Sequence, residues 1–366
     1  MKNKIKNIFV RMEEKSINLV RYIHELRNIH KKKNLYKKVK LSKEEKQKIK
    51  NNFKKYYGRN YSNKWHRLYA SYTGKMDADY FPEILYATKL ETKLNDYAFS
   101  KQICDKSLIE ILFSNIDGLK FPKTYILNAS NVLYDSNRNI INKEKVITIL
   151  SNIGRCLIKP TRDTSSGKNV TICDFKNGID VITQKSITEV LDKYSKNYII
   201  QEVLNNSSEL SKIYPNSLNT FRLITYIVND KIYHCPVVLR IGRGGKFVDN
   251  AHAGGLAIGV DDDGYLKKYA FSEYGEKFEV HPDTKTKFNN YKINDLNKMI
   301  KIAYSCHIRI PNLKILSWDM AINDKNEIIL IEVNTFGEST WFTQYCNGKS
   351  LFGENTKYMY SLIRRK

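Results

Sequence analysis

Residues 317–334 read SWDMAINDKNEIILIEVN, and no other stretch restricts the fold as tightly. Two runs rich in β-branched and aromatic residues flank the turn formers Asn323, Asp324, Lys325 and Asn326, the pattern of a β-hairpin. A two-residue loop centred between Lys325 and Asn326 pairs Asp319 with Glu332 and Ser317 with Asn334. Strand side chains alternate faces with a period of two, so Asp319, Glu332 and Asn334 share one face. The other face pairs Trp318 with Val333, Met320 with Ile331 and Ile322 with Ile329, and must lie in a core. Like charges placed opposite one another destabilise a strand pair unless something cationic sits between them. Two carboxylates and an amide oxygen form an oxygen-ligand set suited to Mg²⁺ or Mn²⁺. The alternative is a pair of solvated surface acids, against which the uniformly apolar reverse face argues.

A chain of 366 residues holds two or three cores, and its 42% hydrophobic content fits a folded protein. No run approaches the length of a membrane span, and the N-terminus lacks the apolar stretch and cleavage site of a signal peptide. Cysteines 104, 156, 173, 235, 306 and 346 are scattered without C-x-x-C spacing. This predicts reduced thiols in a cytoplasmic protein, with neither zinc nor a disulfide framework.

The net charge of +24 is unevenly placed. Residues 1–60 hold 20 Lys or Arg against 5 Glu, or +15, and the rest of the chain carries +9. Within this segment Ile5, Ile8, Phe9, Met12, Leu19, Ile23 and Leu26 recur at helical spacing between basic residues. A basic amphipathic helix of this kind lies on an anionic membrane surface, here through residues 1–45 at the inner membrane face, or packs on the body as an ordinary solvated helix. Nothing resembling a nucleic-acid-binding module accompanies the charge, so no nucleic-acid partner is expected.

Interspersed helices and antiparallel hairpins predict an α+β architecture. Residues 1–56 are expected to be helical and basic, 57–150 to form a leading helical and α+β region, and 151–204 and 205–366 to form two further units. Expected strands include 120–126, 156–160, 169–173 and 198–203. Two long runs, 219–228 and 232–241, join at Asn229-Asp230-Lys231, with a further hairpin turning at 261–264. Helices are expected near 105–113, 187–194, 294–307 and 356–364.

Lys159 ends an apolar strand before the polar loop 161–168, where an ammonium can hold phosphate oxygens while loop N–H groups cover them. Gln201, Glu202 and Val203 end another buried strand whose backbone can meet an adenine edge. Arg222 and Arg240 sit inside β runs otherwise full of Ile, Val and Leu. A buried guanidinium needs an anionic partner, either a structural carboxylate or a phosphoryl group in transfer. A two-residue hairpin loop puts the two arginines on opposite faces, whereas an odd loop or a bulge brings them together.

The order Asp105-Lys106, IKP-loop-SGK (158–168), IIQEV (199–203), NTFR (219–222), LRIG (239–242), VDNAHAGG (248–255), WDMAI (318–322) and IEVN (331–334) resembles the ATP-grasp superfamily. The middle is similar to glutathione synthetases and ribosomal-protein glutamate ligases, and the whole, over roughly residues 45–350, to the sugar-transfer-associated ATP-grasp group linked to polysaccharide biosynthesis. The resemblance implies two subdomains gripping ATP, with 151–204 the lid and 205–366 the catalytic part. It implies that Lys106 and Lys159 contact phosphates, that Ser165, Ser166, Gly167 and Lys168 form the lid loop, and that Gln201, Glu202 and Val203 line the adenine pocket. Glu209 would hold the ribose hydroxyls, and Asp319, Glu332 and Asn334 the Mg²⁺. Arg240 and Arg222 would stabilise the transferred phosphoryl. Asn219, Asp249, Asn250, His252, Gly254 and Gly255 would approach substrate, with His252 a possible general base. The lid loop departs from the family pattern in being rich in Ser rather than Gly. The implied activity is ATP-dependent ligation of a small-molecule or glycan carboxylate to an amine or thiol. Phosphoryl transfer to a sugar hydroxyl and a non-turning-over nucleotide-binding scaffold are the alternatives.

Overall fold

Turn formers and prolines cut the chain into strands that build two sheets, and the cleft lies where those sheets face one another. The computed structural model describes residues 2–162, 169–194 and 196–364, with side chains from residue 15 onward. The chain opens on helix α1 (Lys2–Lys31), followed by helices Lys33–Lys38 and Lys43–Asn52. The last begins at a capping box, in which Ser42 accepts from the Glu45 N–H and Glu45 accepts from the Ser42 N–H. Residues 60–100 are largely helical. Their large aromatics Trp65, Tyr69, Tyr72, Tyr80 and Phe81 are buried in one core with Tyr345, Phe352 and Tyr360 from the C-terminal end.

The main strands are β1 (Thr124–Ala129), β2 (Arg155–Pro160), β3 (Thr171–Lys176), β4 (Tyr198–Gln201), β5 (Thr220–Val228), β6 (Lys231–His234), β7 (Val237–Ile241), β8 (Leu256–Val260), β9 (Leu266–Phe271), β10 (Ile315–Ile322) and β11 (Ile328–Asn334). The larger sheet runs Leu119–Lys120, β11, β10, β5, β7, β8, β9, Lys277–Phe278, with β6 pairing β5. The smaller sheet runs Ile140–Ile141, Val132–Tyr134, β1, β4, β2, β3, Ile179–Asp180, Lys185–Ser186. The strand expected over 120–126 is two strands. Leu119–Lys120 pairs in parallel with β11 in the larger sheet, and β1 belongs to the smaller one. Pro122, which has no N–H to give a ladder, lies between them. The smaller sheet therefore draws chain from before residue 151 as well as from 155–201.

The closing hairpin exists, with its registers set by two compensating irregularities. Near the loop, Ile322 faces Ile328 and Ala321 faces Ile329, which leaves a loop one residue longer than the expected two. Asn323 organises it: its Oδ1 accepts from the N–H groups of Lys325 (3.1 Å) and Glu327 (2.8 Å), and Asn326 turns at φ 59°. A bulge between Asp319 and Met320 then restores the other register, so Asp319 faces Glu332 and Ser317 faces Asn334. Met320 meets Leu330 instead of Ile331. Ile331 is the extra residue and is half-buried rather than core.

A second bulge settles the two arginines. The β5–β6 turn is Asn229-Asp230, both with positive φ (46° and 63°), a two-residue loop matched to the strand twist. Thr225 faces His234 across it, but Thr220 faces Arg240, a register shifted by one. The extra residue lies at Cys235-Pro236, where the Cys235 N–H donates to the Ile224 carbonyl at 2.8 Å. Thr220, Arg222 and Arg240 thus share a face with Asp319, which pairs with Arg222 in the neighbouring strand. The reverse face packs Trp318, Met320, Phe221 and Leu239 against helix Leu296–Ile308. No described helix is long and apolar enough to cross a membrane.

Candidate active site

A cleft of 880 Å³ opens between the sheets. Lys106, Leu157, Lys159 and Ile172 line it from the smaller sheet's side, and Thr220, Arg222, Arg240, Asp319, Ile331, Glu332 and Asn334 from the larger one. The three oxygen-bearing residues expected from the hairpin are therefore together on one wall.

Each acid of that wall has a cationic partner. Asp319 accepts from Arg222 Nε at 2.5 Å through Oδ1, and from Arg240 Nη2 at 3.1 Å through Oδ2. Burial would raise the Asp319 carboxyl, but the two guanidiniums outweigh it and hold the group below its ordinary range. Glu332 Oε1 lies 2.9 Å from Lys106 Nζ. The Asn334 amide nitrogen is buried without a partner. Among the described residues no three His, Cys, Asp or Glu side chains cluster as a metal site. The set here is two carboxylates and an amide, all oxygen donors, and it fits Mg²⁺ or Mn²⁺ rather than a nitrogen- or sulfur-seeking ion.

Lys159 is 8% exposed. Burial, and next the neighbouring Lys106 charge, lower its ammonium to about 8 against a partial opposing pull from Glu332. Lys106 is positioned by Asp105, which caps the 3₁₀ turn Lys106–Leu108 and bonds Arg162 at 2.9 Å, and by its own N–H to the Thr161 carbonyl at 2.8 Å. Gln201, Glu202 and Val203 line the cleft. Glu202 is anchored twice to Lys123, its N–H donating to that residue's carbonyl at 3.0 Å and its carboxylate accepting from that residue's N–H at 2.7 Å. Ser165, Ser166, Gly167 and Lys168 fall outside the described residues.

Several expected substrate residues serve other purposes. Glu209 does not line the cleft; its carboxylate accepts from Asn294 Nδ2 at 3.2 Å and its carbonyl from the Tyr291 hydroxyl at 2.6 Å, so it fastens helix Ser208–Ile213 to the 291–294 segment. Asn219 is fully buried and absent from the cleft wall. Its amide donates to the carbonyls of Leu210 (3.0 Å) and Tyr214 (2.9 Å), clamping the loop before β5. Gly254 and Gly255 also lie off the wall. Gly254 ends a 3₁₀ turn at φ 98°, and a Cβ on Gly255 would meet the Asp249 carbonyl oxygen at 2.3 Å. These glycines fold the loop that presents Asp249, Asn250 and His252, which do line the cleft.

Asp249 accepts a short hydrogen bond from the Thr220 hydroxyl and lies 3.5 Å from Arg240 Nε. Burial raises its carboxyl against the pull of Arg240. Asn250 folds back to accept from the His252 N–H at 2.8 Å. His252 Nδ1 lies 2.7 Å from Glu273, which also takes Lys32 Nζ at 3.0 Å. Among the cleft residues that escaped the sequence reading are Thr220, Ile331, Glu338 and Trp341. Thr220 was accessible by parity, two residues before Arg222. Ile331 was hidden by the bulge. Glu338, which accepts from the Tyr86 hydroxyl, lies in the irregular stretch after the hairpin, and Trp341 opens the helix Trp341–Asn347.

The sequence profile of the sugar-transfer-associated ATP-grasp family matches residues 85–358. Similar solved structures include the VanG D-Ala:D-Ser ligase of Enterococcus faecalis, at 14% identity and a TM-score of 0.39, over 71% of this chain and 60% of that one. An L-amino acid ligase from Bacillus licheniformis matches at 8% identity and a TM-score of 0.37, over 68% and 43%. The ATP-grasp ligase PsnB, complexed with a minimal precursor, matches at 11% identity and a TM-score of 0.37, over 74% and 62%. The chain thus spans less than two thirds of the length of each. A search of curated proteins finds no significant match. With the profile covering three quarters of the chain, the protein belongs to the sugar-transfer-associated ATP-grasp family.

Proposed function

We propose that this protein is an ATP-dependent carboxylate–amine (or –thiol) ligase that works through an acyl phosphate, in the building of a surface polysaccharide or other glycan. The observation that carries the reading is charge arrangement: Lys106 and Lys159 face Arg222, Arg240, Asp319 and Glu332 across one cleft. Four cations on opposing walls suit a triphosphate, and the acid–amide wall suits the divalent ion that accompanies it.

In this reading Lys106 and Lys159 hold phosphate oxygens from the lid side. Asp319, Glu332 and Asn334 would hold Mg²⁺, which would supply neutralisation of the phosphate charge. Arg240, braced by Thr220 at 2.6 and 2.9 Å, and Arg222 stabilise negative charge on the phosphoryl group in flight. A substrate carboxylate oxygen attacks the γ-phosphorus as the bond to ADP breaks. An amine then attacks the acyl carbon, phosphate leaves with the acyl oxygen, and the amine proton passes to a base at the rim; the contact of His252 with Glu273 supports His252 in that role. The glycan assignment draws on the family description alone.

Product analysis tests the proposal. Screening amino acids paired with uronic-acid sugars, a ligase releases ADP and free phosphate in equal amounts only when carboxylate and amine are both present. A phosphorylated sugar without free phosphate would instead identify a phosphotransferase. ATP consumption no higher than that of Glu332→Ala, with any pair, would identify a scaffold.

A further inference from the structure

Helix α1 packs on the body by one face and shows solvent a second, apolar one. The packed face carries Arg21, bonded to Glu91 with its guanidinium 4.6 Å from the Phe336 ring, and the buried Ile29. On the outer side Leu19 is 59% exposed, Val20 66%, Ile23 40% and Leu26 41%. At about 100° per residue Leu19, Ile23 and Leu26 fall within a sector of roughly 60°, about 130° around the helix from the packed face. The sequence continues the same phase upstream with Ile5, Ile8 and Met12. Lys15 lies at one edge of the sector and Arg27 at the other, and both are exposed. The described acid of the helix, Glu25, is on the packed side, 12% exposed. Surface helices ordinarily turn their apolar stripe inward. This one turns a stripe outward and borders it with cations.

We propose that α1 docks on an anionic phospholipid surface, with the Leu19–Ile23–Leu26 sector in the acyl boundary and its basic borders on the headgroups. Charge selects this occupant. Residues 1–31 hold 8 Lys or Arg against 3 Glu, so two copies of the helix repel one another while an anionic bilayer attracts each. Because the same segment is tied to the cleft, docking holds the cleft at the bilayer. Lys32 bonds Glu273, the partner of His252, and Arg21 bonds Glu91, which shares the Tyr86 hydroxyl with Glu338.

The test is flotation of the full chain with neutral phosphatidylcholine vesicles and with vesicles containing phosphatidylglycerol. The chain is expected to float with the anionic vesicles only and to be released by salt. Replacing Lys15 and Arg27 by Gln should weaken partitioning about fivefold per charge. Leu19→Gln/Ile23→Gln/Leu26→Gln should abolish it with an unchanged melting temperature, since these side chains are exposed. Equal binding to neutral vesicles, binding that survives the triple substitution, or a dimer in sedimentation that the triple substitution splits without any vesicle binding would each overturn the proposal.

Discussion

Lys159→Met isolates the energetic cost of keeping a buried cation on the cleft wall. Its ammonium falls from an ordinary 10.5 to about 8, first by burial and then by Lys106. A shift of that size, at 1.36 kcal/mol per unit, is a penalty of ~3 kcal/mol on the charged form in the folded protein. Methionine matches the stem in shape and carries no charge, so the nucleotide-free variant should be more stable at pH 7 by up to that amount. The sign follows from linkage. Below pH 8 both states hold the proton and the folded one bears the full penalty. Between pH 8 and 10.5 the folded state has released the proton while the unfolded state retains it, so stability rises with pH and the variant's advantage shrinks. With an unfolding entropy of roughly 2.1 cal/mol/K per residue over the 366 residues of the chain, ~3 kcal/mol corresponds to about 4 °C. The assay is thermal melting in chelator from pH 6.5 to 9.5, with and without Mg-ATP. Nucleotide at a hundred times its dissociation constant should stabilise the wild type by about 2.7 kcal/mol, and Lys159→Met much less. A variant that melts at or below wild type at pH 7, yet gains as much from Mg-ATP, would refute the reasoning.

Asp319→Asn leaves Arg222 and Arg240 buried beside a neutral amide, and should cost about 3–5 kcal/mol in a melt even without metal; a loss confined to Mg-ATP conditions would show that Asp319 has no structural share. Gly255→Ala drives a Cβ against the Asp249 carbonyl and must move the 249–255 loop, so turnover should fall while melting with Mg-ATP is preserved. Glu83 is raised to about 8 by burial and next by Glu25, so between pH 4.5 and 8 its folded form keeps a proton the unfolded form has lost and stability declines with pH. Glu83→Gln should flatten that part of the melting profile, and an unchanged slope would count against it. Mg²⁺ alone should shift the melting temperature far less than Mg²⁺ with ATP, as differential scanning fluorimetry would show; an equal shift would mean the metal wall is free before nucleotide arrives.

The sequence made the acid–amide wall legible because parity is local: Asp319, Glu332 and Asn334 need only a hairpin, and their pairing came out as expected although the loop did not. An odd loop and a bulge at Ile331 shift the register in opposite senses, so an argument that ignored both reached the same site and misplaced only Ile331. The arginines were undecidable for the same reason, since the bulge at Cys235-Pro236 has no signature beyond a proline. Motif order alone could not separate Asn219, Glu209 and the two glycines from residues that meet substrate. Their roles are set by contacts such as that between Asn219 and Tyr214, or Glu209 and Asn294, which no short pattern encodes. The tie of Arg21 to Glu91 spans 70 residues and was equally invisible.

The pairing of the cleft charges also dictates an order of events. Asp319 is shared by two guanidiniums and Glu332 is held by Lys106, so a divalent ion offered alone competes with three cations already in place. Burial, and next the Lys106 charge, drive Lys159 toward neutrality, and among the described residues no carboxylate as close as those of its neighbours offsets them. In the proposed site a triphosphate would reverse the balance: its oxygens would supply Lys159 with opposing charge and draw Lys106 away from Glu332. The carboxylate so released is one of the three proposed oxygen ligands of the metal. Nucleotide and metal are therefore expected to bind with positive coupling, each strengthening the other's site by the same free energy.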